Sequence, residues 1–535
     1  MRRPFLLALL VFLMPARHSG SQPFEIPHPN LPSDVAGLNP SIAVIFGTLK
    51  WADYNGDGNF DFLLLGRLPA TSSGAVPLYG DVFRSSPAIL GEPPTRVFSF
   101  FIVRSIERLW LSNADWGDFD RDGDLDLITI GAASIQDPLD PRTVLYETVG
   151  NTITAIETGI PGLHSGAVRW GDFDNDGDPD LAMLGIDGGG SHVMFIYRNE
   201  GQGRFTVVPA PIPGLAYGSL EWLDFDVDGD LDLFVSGAAE DGALYSRLYR
   251  NEGGFFVDSG EQFEPLAFSR IAVGDFDSDS DPDILLSGQR RSAAYGTGRT
   301  LLYRNDSGRF PRIPTDIPGT YYGDVKWADY DRDGDLDVLI SGRTKTFGSS
   351  LMQACVQGGA AEFACRQLQL AGLGGQPVPG LAYGSIALAD YDGDSDLDVM
   401  VSGMRTNTEH FTTLYKSLSA VANVPPLPPE GLSSVTGPGT VTLSWNPSSD
   451  RETPATGLTY ELRVGTAPGG LNIVAPRADP QTGFRRVVEA GGVGSGTSWF
   501  LQNLRPGTYY WSVQAVDNSY AGSPFAAEAS FTIGG

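Results

Sequence analysis

An acidic cassette of nine residues recurs along the 535-residue chain and restricts its possible folds more than any other feature. Positions 1, 3, 5, 7 and 9 carry an acidic or amide side chain, as in Asp224-Phe-Asp-Val-Asp-Gly-Asp-Leu-Asp232. Seven copies are present, and they start at Asp53, Asp118, Asp172, Asp224, Asp275, Asp329 and Asp390. Because self-similarity at a spacing of 51 to 65 residues is typical of repeat architectures, we expect one structural unit per cassette.

The sequence around each cassette repeats as well. Trp stands two residues before the cassette in five copies, at Trp51, Trp116, Trp170, Trp222 and Trp327. An apolar run follows each cassette, and two further strand-like runs come after it, as in Leu248-Tyr-Arg-Asn251 and Arg309-Phe-Pro-Arg-Ile313. Each unit thus contains four short strands. Because four-stranded units repeated radially form propellers, we predict an all-β fold with a seven-bladed β-propeller over residues 22–418.

The last unit lacks a fourth strand, and the start of the mature chain offers a replacement. The segment Pro23-Phe-Glu-Ile-Pro27 is similar to the outer strand of an earlier unit. Pairing this segment with the last unit would close the ring and remove an exposed sheet edge. A linear solenoid is the alternative architecture.

The cassette has the ligand pattern of a calcium site. Oxygen ligands at every second residue suit a hard cation, and Ca²⁺ binds about 6–8 oxygens. Side chains at positions 1, 3, 5 and 9 can converge, position 7 can offer its backbone carbonyl, and Gly at position 6 permits a sharp turn. An EF-hand is excluded because it needs Glu at position 12, where this chain has apolar residues such as Leu64 and Val235. Solvated acidic turns without metal are the alternative.

We therefore predict about seven Ca²⁺ sites. Their candidate ligands are Asp53, Asn55, Asp57, Asn59 and Asp61; Asp118, Asp120, Asp122, Asp124 and Asp126; Asp172, Asp174, Asp176, Asp178 and Asp180; Asp224, Asp226, Asp228, Asp230 and Asp232; Asp275, Asp277, Asp279, Asp281 and Asp283; Asp329, Asp331, Asp333, Asp335 and Asp337; and Asp390, Asp392, Asp394, Asp396 and Asp398.

These features together resemble the FG-GAP/VCBS repeats of the integrin α-subunit propeller and of many secreted bacterial proteins. The family's aromatic-Gly pair precedes the cassettes at Phe46-Gly47, Tyr217-Gly218, Tyr322-Gly323 and Tyr383-Gly384, with a weaker Phe268-Ser269, whereas its later Gly-Ala-Pro element is absent. The resemblance covers about 400 residues. It implies structural calcium in loops between the first two strands of each blade, on the face away from the usual ligand site. Cassettes in all units favour the secreted VCBS type.

The N-terminus has the pattern of a secretory signal peptide. Arg2 and Arg3 precede an apolar run from Phe5 to Met14, and small residues follow at 19–21, so we predict a signal peptide over residues 1–21. A membrane anchor is the alternative, but the run is too short to span a bilayer. We expect a secreted or extracellular protein, with the cell surface and the periplasm as further possibilities, and no membrane span.

The negative charge of the chain concentrates in the cassettes, which hold 33 of its 65 acidic residues. Loss of the three arginines at positions 2, 3 and 17 takes the formal charge from −29 to −32, and seven Ca²⁺ ions would return it to −18. An acidic surface repels nucleic acid and anionic membranes, so we expect neither as a partner.

Cys355 and Cys365 flank a Gly-Gly pair that suits a hairpin in the sixth unit. A disulfide is expected in an oxidising compartment, and two free thiols are the alternative. A Pro-rich linker at residues 419–429 then ends the repeats.

Residues 430–535 resemble a fibronectin type III sandwich. The turn Leu504-Arg-Pro-Gly507 precedes a strand whose buried tyrosine is Tyr509 or Tyr510, and the insert 465–498 is longer than usual. Such modules mostly act as spacers or adhesive units.

Catalytic motifs are absent from the sequence: the His residues have no metal-ligand spacing, and no nucleophile elbow, Walker loop or dinucleotide fingerprint occurs. We expect a monomeric, non-enzymatic adhesion or recognition protein that binds an extracellular protein or glycan. A carbohydrate-active enzyme or lectin that uses the propeller as a sugar-binding platform is the alternative. Candidate ligand-face residues are Arg290, Arg291, Tyr295, Arg343, Lys345 and Arg405, and also Tyr217, Tyr322 and Tyr383, for which core packing is the better explanation.

Overall fold

The structure is a computed structural model. It describes residues 35–36, 43–70, 76–89, 96–136, 139–290, 297–344, 349–359, 361–368, 378–405, 409–417 and 422–535. Every regular element in these residues is a β-strand, which confirms the predicted all-β fold class. Among them, no helix has the length and apolar character needed to cross a membrane. The predicted signal peptide and the segment Pro23–Pro27 lie outside the described residues.

The first 28 strands form one sheet around each cassette. The first sheet contains β1 (Val35–Ala36), β2 (Leu49–Ala52), β3 (Asp61–Arg67), β4 (Leu78–Ile89) and β5 (Arg96–Ser105). The second contains β6 (Trp110–Gly117), β7 (Asp126–Ala132), β8 (Pro141–Val149) and β9 (Thr152–Ile156). The third contains β10 (His164–Gly171), β11 (Asp180–Ile186), β12 (His192–Asn199) and β13 (Phe205–Val208). The fourth contains β14 (Ala216–Leu223), β15 (Asp232–Ala238), β16 (Leu244–Asn251) and β17 (Phe256–Asp258).

The later sheets follow the same order. The fifth contains β18 (Ala267–Gly274), β19 (Asp283–Gln289), β20 (Gly298–Tyr303) and β21 (Arg312–Ile313). The sixth contains β22 (Val325–Ala328), β23 (Asp337–Arg343), β24 (Ser350–Gln357) and β25 (Phe363–Gln367). The seventh contains β26 (Ala382–Ala389), β27 (Asp398–Met404) and β28 (His410–Tyr415). The strands of each sheet are antiparallel except β1, which pairs in parallel with β5. The predicted four-strand units are thus present in the second to sixth sheets, whereas among the described residues the first sheet has five strands and the last has three.

Each cassette connects two adjacent strands of its sheet, β2 and β3 in the first sheet and the first two strands in the others, as the family resemblance implies. In the fourth sheet, Asp232 at position 9 begins β15 and pairs with Leu223 at the end of β14. The strand that follows each cassette is almost entirely buried, and β15 is buried at every position. Because neighbouring sheets cover both of its faces, this strand reads as a continuous apolar run rather than an alternating one.

Neighbouring sheets pack face to face in chain order, as the blades of a β-propeller do. The first strand of one sheet contacts the first strand of the next from β6 to β22, and β26 of the last sheet contacts β2 of the first. The apolar clusters lie between sheets: Phe234 shares one with Leu286, and Phe62 of the first sheet shares another with Met400 of the last. Burying such a side chain contributes roughly 1.5–3 kcal/mol.

The tryptophans that precede the cassettes link these sheets in a repeated way. Trp222 stacks on Phe173, which occupies position 2 of the preceding cassette, with ring centroids 6.2 Å apart. Equivalent stacked pairs are Trp116 on Tyr54, Trp170 on Phe119 and Trp327 on Phe276. Trp51 of the first sheet stacks on Tyr391 of the last cassette at 6.3 Å, so the same contact joins the two ends of the series.

Residues 422–535, here called the C-terminal module, form two further sheets. One contains β29 (Ser433–Gly437), β30 (Thr440–Ser444) and β32 (Ser498–Leu501), and the other contains β31 (Thr459–Gly465), β33 (Gly507–Val516) and β34 (Ala529–Ile533). A common core that includes Trp445 and Trp511 joins them. The Tyr509 hydroxyl donates to Arg505 O at 2.7 Å and its ring is buried, so the buried tyrosine is Tyr509 rather than Tyr510.

The C-terminal module lies directly against the cassette loops. Asn423, within the Pro-rich linker, donates its N–H to Ser395 O in the last cassette at 3.1 Å. The long insert at 465–498 also reaches the loops, where Asp53 N–H donates to Arg486 O at 2.8 Å. The linker therefore does not hold the module away from the sheets.

Candidate metal centres

The carboxylate at cassette position 1 organises each loop. In the fourth cassette, Asp224 accepts the Asp228 N–H at 3.0 Å and the Gly229 N–H at 2.9 Å. All seven cassettes have the bond from position 6, and in all of them the position-7 N–H donates to the side-chain oxygen of position 5. The repeated hydrogen bonds turn every second side chain towards the inside of the loop.

Two positions in each loop have left-handed backbone conformations. Position 6 has φ between 66° and 97° in all seven cassettes, as its predicted role in a sharp turn requires. Position 4 is also left-handed throughout, with φ from 55° to 73°, although its residues range from Gly to Val and Arg. The sequence did not reveal this second turn position, because no single residue type marks it.

The carboxylate at position 9 is the most buried member of each loop. Asp232 is fully buried and accepts the Phe225 N–H at 3.1 Å and the Asn251 N–H at 2.7 Å. In every cassette, position 9 begins a strand and accepts a backbone N–H from the neighbouring strand that follows it in the chain, or from within two residues of that strand's end. The donors are Ser85, Thr148, Asn199, Asn251, Asn305, Gln357 and Ser417. Position 9 thus connects the loop to the interior of its sheet.

Oxygen atoms from several cassette positions converge. Carboxylate oxygens within 4.8 Å of one another come from Asp118, Asp120 and Asp122; Asp172, Asp174 and Asp180; Asp224, Asp226 and Asp232; Asp275, Asp277 and Asp279; and Asp329, Asp331 and Asp333. Three of these groups draw on positions 1, 3 and 5, and two draw on positions 1, 3 and 9; that they bind Ca²⁺ stays a prediction. Position 7 contributes no side chain to them, and Asp178 instead pairs with Arg121 of the preceding loop at 2.5 Å.

Buried oxygens without hydrogen-bond partners show that the loops fit a cation. Asp61 Oδ2, Asp174 Oδ1 and Asp329 Oδ1 are inaccessible to solvent and accept no hydrogen bond from the part of the chain that the structure describes. An unpaired carboxylate oxygen is costly to bury, so a ligand that accepts its lone pairs is expected at this place. All-oxygen donor sets of this kind suit Ca²⁺, and the residues at positions 1, 3, 5 and 9 would hold it.

Burial and mutual repulsion raise the pKa values of the carboxyl groups at positions 1 and 9. Burial raises the pKa of Asp232 to about 9, and the carboxylates of Asp226 and Asp224 add to the shift. Burial, opposed by the bond from Gly229, raises the pKa of Asp224 to about 7. A bound divalent cation would favour the ionised forms and offset this repulsion.

Basic side chains from the third strand stand beside several loops. Arg250 Nε lies 3.1 Å from Asp226 Oδ2, and Arg198 Nε lies 2.6 Å from Asp174 Oδ2. Lys416 contacts Asp392 and lies 3.0 Å from Asp394. Each of these side chains offsets one unit of the negative charge of its loop.

Asparagine and glutamine side chains join successive cassettes, a role that the sequence reading missed. Asn305 Nδ2 donates to Phe225 O, in the preceding cassette, at 2.7 Å. Asn199, Asn251 and Gln357 make the equivalent bonds to Phe119 O, Phe173 O and Phe276 O at 2.7, 2.6 and 2.9 Å. The only sequence feature at these asparagines is the Tyr-Arg-Asn triplet of the third strand. This triplet predicts a strand, but it does not indicate which backbone oxygen the asparagine side chain contacts.

The aromatic-Gly pairs form a ring at the opposite end of the axis from the cassettes. Phe46, Tyr383, Tyr322, Phe268 and Tyr217 contact one another in this order, with centroids 4.3 to 5.1 Å apart. All five have left-handed φ values, and so do Leu111 and Ser165 at the equivalent positions. Of the three tyrosines proposed as ligand-face candidates, Tyr322 and Tyr383 therefore pack against each other and Tyr217 packs against Phe268.

The other ligand-face candidates are described only in part. Arg343 lies over the Tyr383 ring at 4.8 Å, Arg290 lies 3.4 Å from Glu264, and Arg405 lies 3.8 Å from Glu409. Arg291, Tyr295 and Lys345 lie outside the described residues. Cys355 and Cys365 face each other across β24 and β25 and form a disulfide.

Comparisons with known proteins give one family match. The model of the FG-GAP-like repeat matches residues 172–235 and 224–286, which contain the third to fifth cassettes. No curated protein matches.

Similar solved structures include AofleA from Arthrobotrys oligospora, with 12% identity over 58% of this chain and 84% of that chain and a TM-score of 0.35. An arginine-to-alanine mutant of AofleA covers 62% of this chain and 89% of that chain at 12% identity and a TM-score of 0.36. An alpha-L-arabinanase from Penicillium chrysogenum, complexed with arabinobiose, has 13% identity over 57% of this chain and 92% of that chain, with a TM-score of 0.34. The family match establishes that residues 172–286 consist of FG-GAP-like repeats.

Proposed function

We propose that this is a secreted, calcium-binding β-propeller protein that recognises an extracellular protein or glycan, and that its calcium is structural. The observation that carries the calcium assignment is the convergence of carboxylate oxygens in the cassettes, some of them buried without a partner. No protein group in the described loops supplies the missing contacts of Asp61 Oδ2 or Asp329 Oδ1. A cation at each loop would do so.

We further propose seven blades over residues 22–418, with a fibronectin type III-like domain at 430–535 and a signal peptide at 1–21. The stacking of Trp51 on Tyr391 and the shared core of the first and last sheets support a closed ring. Deletion of residues 22–30 should give an insoluble or unfolded product, because the last sheet would keep an open edge. A normal melting curve of that deletion variant would contradict closure by the N-terminal segment.

Calcium removal tests the proposed function. A site whose free calcium is at ten times its Kd stabilises the folded state by about 1.4 kcal/mol, so seven sites contribute roughly 10 kcal/mol. This is comparable with the whole stability of a typical domain, and we expect EGTA to lower the melting temperature sharply. An unchanged melt in EGTA would count against the metal assignment.

A pair of variants makes the test specific to the cassettes. Asp232→Asn alters a buried position-9 ligand, whereas Asp258→Asn makes the same chemical change at an exposed residue outside the cassettes. We expect calorimetry to show one calcium ion fewer for Asp232→Asn and no change for Asp258→Asn.

Ligand recognition needs a separate experiment. A glycan array on the full chain, together with polysaccharide turnover assays, distinguishes a pure binding protein from a lectin or a carbohydrate-active enzyme. Turnover would defeat the non-enzymatic proposal, and glycan binding without turnover would support a lectin.

A further inference from the structure

The C-terminal module makes directional contacts with six of the seven cassettes in the described residues. Gln502 Nε2 donates to Asp174 O at 2.8 Å, and Gln502 N–H donates to Asn175 O at 3.0 Å. Asp329 N–H donates to Asn518 O at 3.0 Å, in the sixth cassette. Such a set of hydrogen bonds defines one orientation of the module, which a flexible tether would not.

One backbone atom of the cassette, the carbonyl oxygen of position 6, is contacted repeatedly. Four of these oxygens accept a hydrogen bond from the module. The pairs are Arg486 guanidinium to Gly123 O, Ser495 hydroxyl to Ser280 O, Asn518 amide to Gly334 O and Asn423 N–H to Ser395 O. Four different donor types converge on one loop position, so the module recognises the shape of the loop rather than a particular side chain.

The same residue connects the module to the predicted metal ligands. The position-6 N–H donates to the position-1 carboxylate, as Gly334 N–H does to Asp329 Oδ2 at 3.1 Å, while the position-6 carbonyl faces the module. The conformation that orients this carbonyl is therefore the conformation that gathers the carboxylates. A cation that holds the carboxylates together also holds the carbonyl in place for the module.

Close backbone approach reinforces this connection at two cassettes. A Cβ atom on Gly334 would lie 1.9 Å from Glu452 O, and one on Gly177 would lie 2.0 Å from Ile473 O. Both oxygens belong to the module, so these glycines leave space for it. In contrast, a Cβ atom on Gly229, in the fourth cassette, would meet nothing within 4 Å.

An ion pair at the axis provides a contact that does not involve the loops. Glu489 Oε1 of the module lies 3.2 Å from Lys50 Nζ, which also contacts Asp115. This places a carboxylate of the insert at a cavity of about 400 Å³ between the module and the sheets. The insert therefore covers the end of the axis on the cassette side.

We propose that the C-terminal module is an intramolecular ligand of the cassette face, and that its docking and calcium binding are coupled. The module stabilises the metal-binding conformation of the loops, and release of calcium weakens the binding of the module to the cassettes. This inference rests on the proposed calcium binding. Because coupling between two sites is reciprocal, loosening the module must lower the calcium affinity, by at least about five-fold for typical coupling strengths.

Two glycine variants of the full chain test the coupling. Gly334→Ala and Gly229→Ala introduce the same side chain at the same cassette position, at φ values of 94° and 93°, so the backbone strain is matched. Only Gly334→Ala also forces the module away. We expect calcium titration by calorimetry to show that the midpoint calcium concentration is at least five-fold higher for Gly334→Ala than for Gly229→Ala.

A third variant leaves the cassettes untouched. Asn518→Ala removes the amide that donates to Gly334 O, and we expect it to weaken calcium binding in the same direction. Hydrogen exchange should show faster exchange of the Asp329 N–H, while Val513 within β33 stays protected because the module remains folded.

The possible results separate this inference from the proposed function. Equal calcium midpoints for Gly334→Ala, Asn518→Ala and Gly229→Ala, with normal calcium uptake, would overturn the coupling and leave the calcium sites in place. Failure of the unmodified chain to take up calcium would overturn the proposed function and the coupling with it. If Gly334→Ala does not fold, the comparison of Asn518→Ala with the unmodified chain decides.

Discussion

Replacement of Asn305 by Ala tests whether side-chain amides hold neighbouring sheets together. Asn305 is fully buried, and its Nδ2 donates to Phe225 O of the preceding cassette at 2.7 Å. Its Oδ1 accepts the Gly308 N–H at 2.7 Å. Alanine removes these bonds and a third, longer one from Nδ2 to Pro282 O at 3.4 Å, while the backbone N–H of this residue still donates to Asp283. The carboxylates at positions 1 and 9 of the cassette therefore keep their hydrogen bonds.

The expected loss follows from the three groups that lose a hydrogen bond to this side chain. A buried polar group without a partner costs about 1–3 kcal/mol. Phe225 O is buried, whereas water can reach the partly buried Gly308 N–H and Pro282 O at lower cost, so we expect a total of about 2–4 kcal/mol. With an unfolding entropy of roughly 1 kcal/mol/K for a chain of this length, the melting temperature should fall by about 2–4 °C.

Differential scanning calorimetry in excess calcium measures this change. Asp306→Asn is the matched control, because it alters an exposed ion pair with Arg304 next to the same turn, and such pairs contribute less than about 1 kcal/mol. Asn251→Ala should behave like Asn305→Ala, since Asn251 donates to Phe173 O at 2.6 Å. A shift for Asn305→Ala no larger than that of the control would refute the proposed link between sheets.

Three further outcomes are expected. Burial lowers the pKa of His164 to about 4, so the unfolded chain binds a proton at this residue before the folded chain does, and the free energy of unfolding decreases as the pH falls from 6.5 to 4. His164→Gln should remove roughly 3 kcal/mol of this decrease, measured as the difference between denaturant titrations at pH 7 and pH 4. Replacing Cys355 and Cys365 by Ser should lower the free energy of unfolding by about 3 kcal/mol, because their disulfide closes a short loop. Chemical unfolding of the double variant and of the unmodified chain, both without reductant, measures this difference. Tyr509→Phe should cost about 1 kcal/mol, because its hydroxyl donates to Arg505 O, measured as a lower melting temperature of the module.

The repeated parts of the fold could be predicted because each has a short-range cause. The cassette places a carboxylate at every second residue, and a strand begins at position 9, so the pairing of Asp232 with Leu223 follows from the loop itself. The apolar run after each cassette likewise identifies a strand covered on both faces. Local hydrogen bonds, such as Gly229 N–H to Asp224, determine the loop without help from distant residues.

Contacts between distant residues could not be predicted in the same way. Asn305 and Phe225 are 80 residues apart, and nothing in either local sequence names the other as a partner. The aromatic ring shows a related limit, because its common property is a left-handed φ rather than a side-chain type. Leu111 and Ser165 occupy the same place as Phe46 and were missed for this reason.

The position of the C-terminal module is determined by contacts with residues that are mostly even farther away in the sequence. The sequence indicated a Pro-rich linker before the module, and the structure places Asn423 of that linker in contact with the last cassette. The docking surface consists largely of backbone carbonyls, such as Gly334 O and Ser280 O, which no sequence pattern displays.

Glycine at position 6 of the cassette has two separate causes, which are the sharp turn of the loop and the approach of the C-terminal module. A sharp turn explains a left-handed φ, but Ser280 and Ser395 adopt φ values of 75° and 66° at this position, so the turn tolerates a side chain. The turn therefore favours glycine without requiring it. Gly334 is different, because a Cβ atom there would overlap Glu452 O of the module. Glycine is required at this position because the backbone of the C-terminal module approaches it closely. The cassette face of the sheets is therefore shaped to contact the module.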